Sequence, residues 1–193
     1  MKSILLLCSI SCLVANISFA KDCKPLSKHV RTVLALEDII TVPKDYCYIS
    51  NVGLYKLHKD LKTWNNARET CNDEGARLAI INSEEEANEL TKMFQQSGLL
   101  ELGGRPSDGV LIGFHDLYNE GQFVTILGEP LEEAGYNKWS KLWPGVPDNI
   151  DNNQTQNCGA LARDGGLDDV LCTVKLGFIC EIPMCKIFSE PCL

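Results

Sequence analysis

Oxygen donors crowd one stretch of this 193-residue chain. Between Lys141 and Lys175 stand Asp148, Asp151, Asp164, Asp168 and Asp169. The amides Asn149, Asn152, Asn153, Gln154, Gln156 and Asn157 lie among them, and Arg163 is the one basic side chain. A hard cation such as calcium takes about 6–8 oxygens, from carboxylates, amides and backbone carbonyls. This stretch offers that chemistry. It is not an EF-hand, because Asp151-x-Asn153-x-Thr155 is followed by Gln156 where the sharp turn needs glycine. Taken on composition alone, the plainer reading is an ordinary solvated loop.

Other chemistries find little support. His29, His58 and His115 are isolated and show no metal-ligand spacing. There is no Gly-x-Ser-x-Gly elbow, no His-Glu-x-x-His and no phosphate-binding glycine loop, so no enzyme is expected. The formal charge is −8, with no dense Lys/Arg run. That argues against nucleic acid and against electrostatic docking on anionic membranes.

The elements that must position the acids are legible in part. Tyr46 to His58 reads as a strand, interrupted by Asn51 and Gly53. Thr63 can cap a helix with Trp64, Ala67 and Cys71 on one face, and Gly75 can end it. Leu78-Ala79-Ile80-Ile81 reads as a short buried strand. Ser83 followed by Glu84, Glu85 and Glu86 is a capping box. Ala87, Leu90 and Phe94 form the stripe of the helix that it starts, and Gly98 stops it. Residues 97–109 read as loop, and Val110-Leu111-Ile112-Gly113-Phe114 as a core strand. Beyond that, Gly, Pro, Asn and Asp punctuate short segments as far as Cys180. Two helices followed by irregular strands make an α+β fold.

Residues 1–20 read as a secretory signal. Lys2 is positive, the segment from Ile4 to Val14 is apolar, and Ser18-Phe19-Ala20 ends in a small-residue cleavage pattern. An extracellular protein with no transmembrane anchor is expected. Eight of the ten cysteines lie beyond the signal: Cys23, Cys47, Cys71, Cys158, Cys172, Cys180, Cys185 and Cys192. In a secreted chain they read as disulfides, with about 105 possible pairings. Asn153-Gln154-Thr155 is a glycosylation sequon, hence expected on a surface loop.

The sequence resembles C-type lectin domains. Trp64-x-x-Ala67-x-x-x-Cys71-x-x-x-Gly75-x-x-Leu78 is similar to that family's first-helix signature. Leu111-Ile112-Gly113-Phe114, Asn157-Cys158, Leu167-Asp168-Asp169-Val170-Leu171-Cys172 and Gly177-Phe178-Ile179-Cys180-Glu181 follow in the family's order. The resemblance covers 46–183, leaving 21–45 as an N-terminal extension and 184–193 as a cysteine-containing tail. Within the family, Ile112 to Tyr118, Tyr136 to Trp143 and Cys158 to Leu161 resemble insect hemolymph lipopolysaccharide-binding lectins.

The resemblance implies a two-helix fold with antiparallel sheets and a long irregular ligand loop. It implies the disulfides Cys71–Cys180 and Cys158–Cys172, and leaves the pairing of Cys23, Cys47, Cys185 and Cys192 open. It implies a calcium and carbohydrate site at Asp148, Gln156, Asp168 and Asp169, with Asp148, Asp168 and Asp169 as metal ligands and a cis-proline turn at Pro147. The triplet departs from the sugar-binding pattern, because Val146 stands where a side-chain oxygen is needed. The expected function is recognition of microbial glycans or lipopolysaccharide. The alternative is a calcium-independent scaffold for protein or lipid. Asp116 and Glu120 read as loop acids rather than secondary ligands, and Trp64, Trp139 and Trp143 as packing residues.

Overall fold

The computed structural model describes residues 45–49, 52–104, 108–142 and 155–183. The presumed signal, the 21–44 part of the extension, the 184–193 tail, Val146, Pro147, Asp148 and Asn153 lie outside them, as do Trp143 and Asp151.

The predicted strand from Tyr46 to His58 is two strands, β1 (Cys47–Ile49) and β2 (Gly53–Lys62). They form a hairpin in register Cys47↔Tyr55, and Val52 N–H bonds to Ile49 O across the turn. Helix α1 (Trp64–Asp73) follows. Thr63 sits at its N-cap, but its side chain makes no cap bond, which corrects that part of the reading. Gly75 takes φ 72° just beyond the helix, a left-handed conformation that glycine adopts without strain.

Strand β3 is only Arg77–Leu78, shorter than the sequence suggested. Ala79 still docks: its N–H bonds to Ile179 O, and its carbonyl accepts from Gly113 N–H. Helix α2 (Glu84–Gln95) starts at Ser83, whose hydroxyl accepts from Glu86 N–H. A 3-10 turn, Leu99–Leu102, leads into β4 (Gly109–His115), then β5 (Val124–Thr125), β6 (Gln156–Ala162), β7 (Leu167–Leu171) and β8 (Leu176–Ile182).

Among the described residues the sheet runs β1-β2-β8-β4-β6-β7, with β3 also on β8 and β5 on β4. The pairings are antiparallel except β4 with β8, where Leu111 meets Phe178 in parallel. The last described strand, β8, is thus inserted in the interior of the sheet.

Period-two alternation splits the core into two layers. Leu111, Ala160 and Phe178 face α1 with Trp64, Ala67 and Leu78. Their neighbours Ile112, Leu161 and Ile179 face α2 with Leu90 and Phe94. Cys71–Cys180 ties α1 to β8 with a Cα–Cα distance of 5.4 Å. Cys158–Cys172, at 5.1 Å, ties β6 to the residue after β7. Cys47 is also disulfide-bonded. The other four described cysteines pair with one another, so its partner lies outside the described residues.

Candidate functional site

The acids of the ligand stretch are placed by the β6–β7 hairpin. β7 pairs with β6 in register Gly159↔Asp169, Ala160↔Asp168 and Leu161↔Leu167. Its outer edge begins at Leu167, whose N–H bonds to Lys138 O and whose carbonyl accepts from Ser140 N–H. Main-chain groups of a strand alternate sides with period two. The N–H and carbonyl of Asp169 therefore also face the outer edge.

The two carboxylates leave opposite faces of β7. Asp168 lines a cavity of about 30 Å³ with Asp108, Gln156, Ala160, Val170 and Leu176. Asp169 lies opposite Gly159, on the Phe114 face. Both are buried, at 5 % and 1 % exposure. A cation held by both must sit at the strand's outer edge, where the Asp169 carbonyl also points. No further strand of the sheet lies beyond that edge among the described residues. Gln156 shares the Asp168 cavity and is placed near it, whereas Asp148, the remaining expected ligand, is outside the described residues.

Asp164 is engaged in hydrogen bonds to its own neighbourhood. Its Oδ1 accepts from Ser140 Oγ at 3.0 Å and Gly166 N–H at 3.1 Å, and its Oδ2 from Lys141 N–H at 2.9 Å. It pins the strand-like stem that precedes the ligand stretch.

A second acid cluster appears that the sequence reading had set aside. Asp116 is 1 % exposed. Its Oδ2 accepts from Gly121 N–H at 2.8 Å and its Oδ1 from Asn157 Nδ2 at 3.3 Å. The same Asn157 amide donates to Glu120 Oε2 at 3.3 Å, and Asp116 N–H bonds to Asn157 O. Two carboxylates thus converge beside Gln156 at the start of β6. Asn157 is 41 residues from Asp116, so no local spacing announces the contact. The turn also presents Tyr118, 88 % exposed, with its ring edge-on to His115 at 5.3 Å.

Trp64, Trp139, His58 and His115 are packing residues. Trp64 Nε1 donates to Ile112 O at 2.8 Å. Trp139 packs on Phe123 and Phe114 at ring distances of 4.8 and 5.9 Å. His58 stacks on Phe178 at 4.3 Å, and its Nε2 lies 3.2 Å from Glu74. Burial pushes the His58 pKa down, with Glu74 opposing. His115 is edge-on to Trp64, and burial lowers its pKa too, aided by Arg68 and opposed by Asp116. His58, Glu74 and Cys180 converge as metal ligands do. Cys180 sulfur is in the disulfide, however, so it offers no thiolate.

These features define a class: a two-layer α+β domain with an interior terminal strand, two internal disulfides and an acid-rich strand edge. The lectin C-type domain family matches residues 60–182, and the chain belongs to it. A hemolymph lipopolysaccharide-binding protein of Periplaneta americana is 40 % identical over 144 residues, 75 % of this chain and 54 % of that protein. The chain thus spans about half the length of that relative. The cow carbohydrate-recognition domain of CD23, solved in the presence of a GlcNAc2Man3 oligosaccharide, is 28 % identical with a TM-score of 0.54. The match covers 72 % of this chain and 94 % of that one. A calcium-independent type II antifreeze protein shares the fold at 22 % identity and a TM-score of 0.53, covering 72 % of this chain and 91 % of that one. No helix among the described residues is long and apolar enough to cross a membrane.

Proposed function

We propose that this chain is a secreted lectin that binds carbohydrate or lipopolysaccharide on microbial surfaces in innate recognition, and that it catalyses nothing. The observation that carries the reading is the Asp168–Asp169 pair at the outer edge of β7, with Gln156 beside it, in a chain that is 40 % identical to a lipopolysaccharide-binding relative. The hemolymph location in that relative's name supports extracellular release.

The donors suit calcium. Two carboxylates, an outward main-chain carbonyl and an amide are hard oxygen ligands of the kind that the ion takes. Asp148 would complete the set, with Pro147 as a cis turn. Calcium, when bound, supplies a Lewis-acidic centre that accepts sugar hydroxyl oxygens. The chain's own part is to hold Asp168 and Asp169 rigidly. Burial and the β6 ladder fix their backbone, and Asp164 fixes the neighbouring stem. Asn153 is the proposed glycosylation site.

A second reading rests on Val146, which brings no oxygen to its triplet. On that reading the domain binds protein or lipid without calcium. The deciding experiment is binding of the mature protein to immobilised lipopolysaccharide and to a simple-sugar array, with calcium and then with chelator. Binding lost with chelator and with Asp168→Ala/Asp169→Ala supports the calcium lectin. Binding untouched by both overturns it in favour of the second reading.

A further inference from the structure

A single exposed apolar side chain needs no explanation, because folded surfaces carry many. Tyr118 differs in how it is held and in where it stands. It is 88 % exposed, the most of any large apolar side chain among the described residues, and Leu117 beside it is 50 % exposed. Yet the turn that carries it is braced. Asp116 N–H bonds to Asn157 O, Asn119 N–H to Asp116 O and Gln122 N–H to Asn119 O. Asp116 Oδ2 accepts from Gly121 N–H, and Gly121 takes φ 77°, which glycine adopts without strain. The Tyr118 ring meets His115, which packs edge-on against Trp64 at 5.6 Å.

Strand register places this ring relative to the proposed site. His115 lies opposite Cys158 on β6, and Cys158 lies opposite Val170 on β7. Directly opposed residues share a face of the sheet, and Asp168, two positions from Val170, shares it too. Two strand spacings across and two residues along put the His115 and Asp168 backbones about 12 Å apart. One sugar ring cannot touch both Tyr118 and a cation at Asp168 and Asp169, whereas a short oligosaccharide spans the gap.

We propose that Tyr118 is a second carbohydrate contact: a sugar residue of an extended glycan stacks on its ring while another residue of the same glycan occupies the Asp168–Asp169 site. The inference rests on the lectin reading above. A tyrosine presents a wide apolar face with a polar tip and has only two torsions to freeze, which suits the C–H face and hydroxyl rim of a sugar. The braced turn means that binding does not have to order a loop. A second contact on a tethered glycan acts at high effective concentration, so Tyr118 selects polymers over single sugars.

The test measures binding of the mature wild type, Tyr118→Ala and Tyr118→Phe, in calcium, to lipopolysaccharide, to de-acylated lipopolysaccharide and to the simple-sugar array. The worth of one aromatic contact predicts a Kd for both lipopolysaccharides about 3–10-fold higher in Tyr118→Ala, and within about twofold of wild type in Tyr118→Phe. Simple-sugar binding is expected to be the same in all three proteins. Tyr118→Ala binding lipopolysaccharide as tightly as wild type removes the subsite and leaves the lectin reading standing. A deficit that appears only with acylated lipopolysaccharide overturns the sugar contact in favour of an acyl-chain contact. A deficit that appears equally with simple sugars overturns it too, because Tyr118 then acts through the cation site. A wild type that binds none of the probes ends both the lectin reading and the subsite.

Discussion

Asp169 stands directly across the β6–β7 ladder from Gly159, and the space a Cβ would take at Gly159 is filled by the ring of Phe114. The backbone that carries a proposed ligand is thus keyed to an aromatic of the core. Phe114 in turn packs edge-on against Phe123 and Trp139.

Gly159→Ala is therefore expected to cost about 1–3 kcal/mol, since the methyl must displace a packed ring. At this size that corresponds to a fall of roughly 2–4 °C in melting temperature per kcal/mol. Thermal unfolding followed by circular dichroism measures it. A variant within about 0.5 kcal/mol of wild type would show that Phe114 yields freely.

Calcium is expected to raise the melting temperature, because an ion bound only by the native state adds about 2.7 kcal/mol at a hundredfold excess over its dissociation constant. Asp168→Asn/Asp169→Asn should abolish the shift. Magnesium should not reproduce it, because it demands a smaller, near-octahedral shell. A scan in which calcium and chelator give the same curve would point to the calcium-independent reading.

The two disulfides should differ in weight. Cys71–Cys180 closes 109 residues and Cys158–Cys172 closes 14. Loop-closure entropy predicts about 4–5 kcal/mol for the first and about 3 kcal/mol for the second. Urea unfolding of the two paired Cys→Ala variants checks the order. Only the second bridge joins β6 to the end of β7, so its loss should weaken ligand binding more than its stability cost alone suggests.

The two described histidines make stability depend on pH on the acid side. His58 and His115 both have folded pKa values lowered by burial. The unfolded state binds more protons just below the ordinary imidazole pKa of about 6.5, so their contribution is present above it and lost as pH falls. Melting curves from pH 7 down to pH 5 should show this loss in the wild type, and a smaller one in His58→Gln/His115→Gln. An equal loss in both proteins would assign the acid sensitivity elsewhere, with Glu74 the next group to examine. Its lowered pKa rests on bonds from Lys56 and Tyr46 and on the His58 charge, against its own burial.

Helix α2 shows how far local pattern reaches. Ser83 caps it and Ala87, Leu90 and Phe94 are buried, as the sequence predicts. The acid run that starts it splits in a way no local rule shows. Glu84 and Glu85 are exposed, whereas Glu86 is fully buried because Tyr55, 31 residues earlier, reaches it from β2. The strand-like stretch from Tyr46 to His58, interrupted at Asn51 and Gly53, is two strands that pair with each other. Apolar spacing cannot distinguish one interrupted strand from a hairpin that folds back after Ile49.

By itself the sequence determined the period-coded features: the faces of α1 and α2, the Ser83 cap, the buried β4, and the family motifs with the cysteines they imply. Each depends on residues a few positions apart, where backbone geometry alone sets which side chains share a face. Tertiary structure decided which acids meet. Asp168 and Asp169 are neighbours in the chain, yet they leave opposite faces of β7, the last strand of the sheet path among the described residues. Asp164 became a stem anchor when Ser140 and Lys141 were brought beside it. Asp116 and Glu120 converged when β6 delivered Asn157. Those outcomes follow from the order of strands in the sheet, with β8 inserted between β2 and β4. Strand order is set by the summed burial of the whole chain rather than by any local spacing.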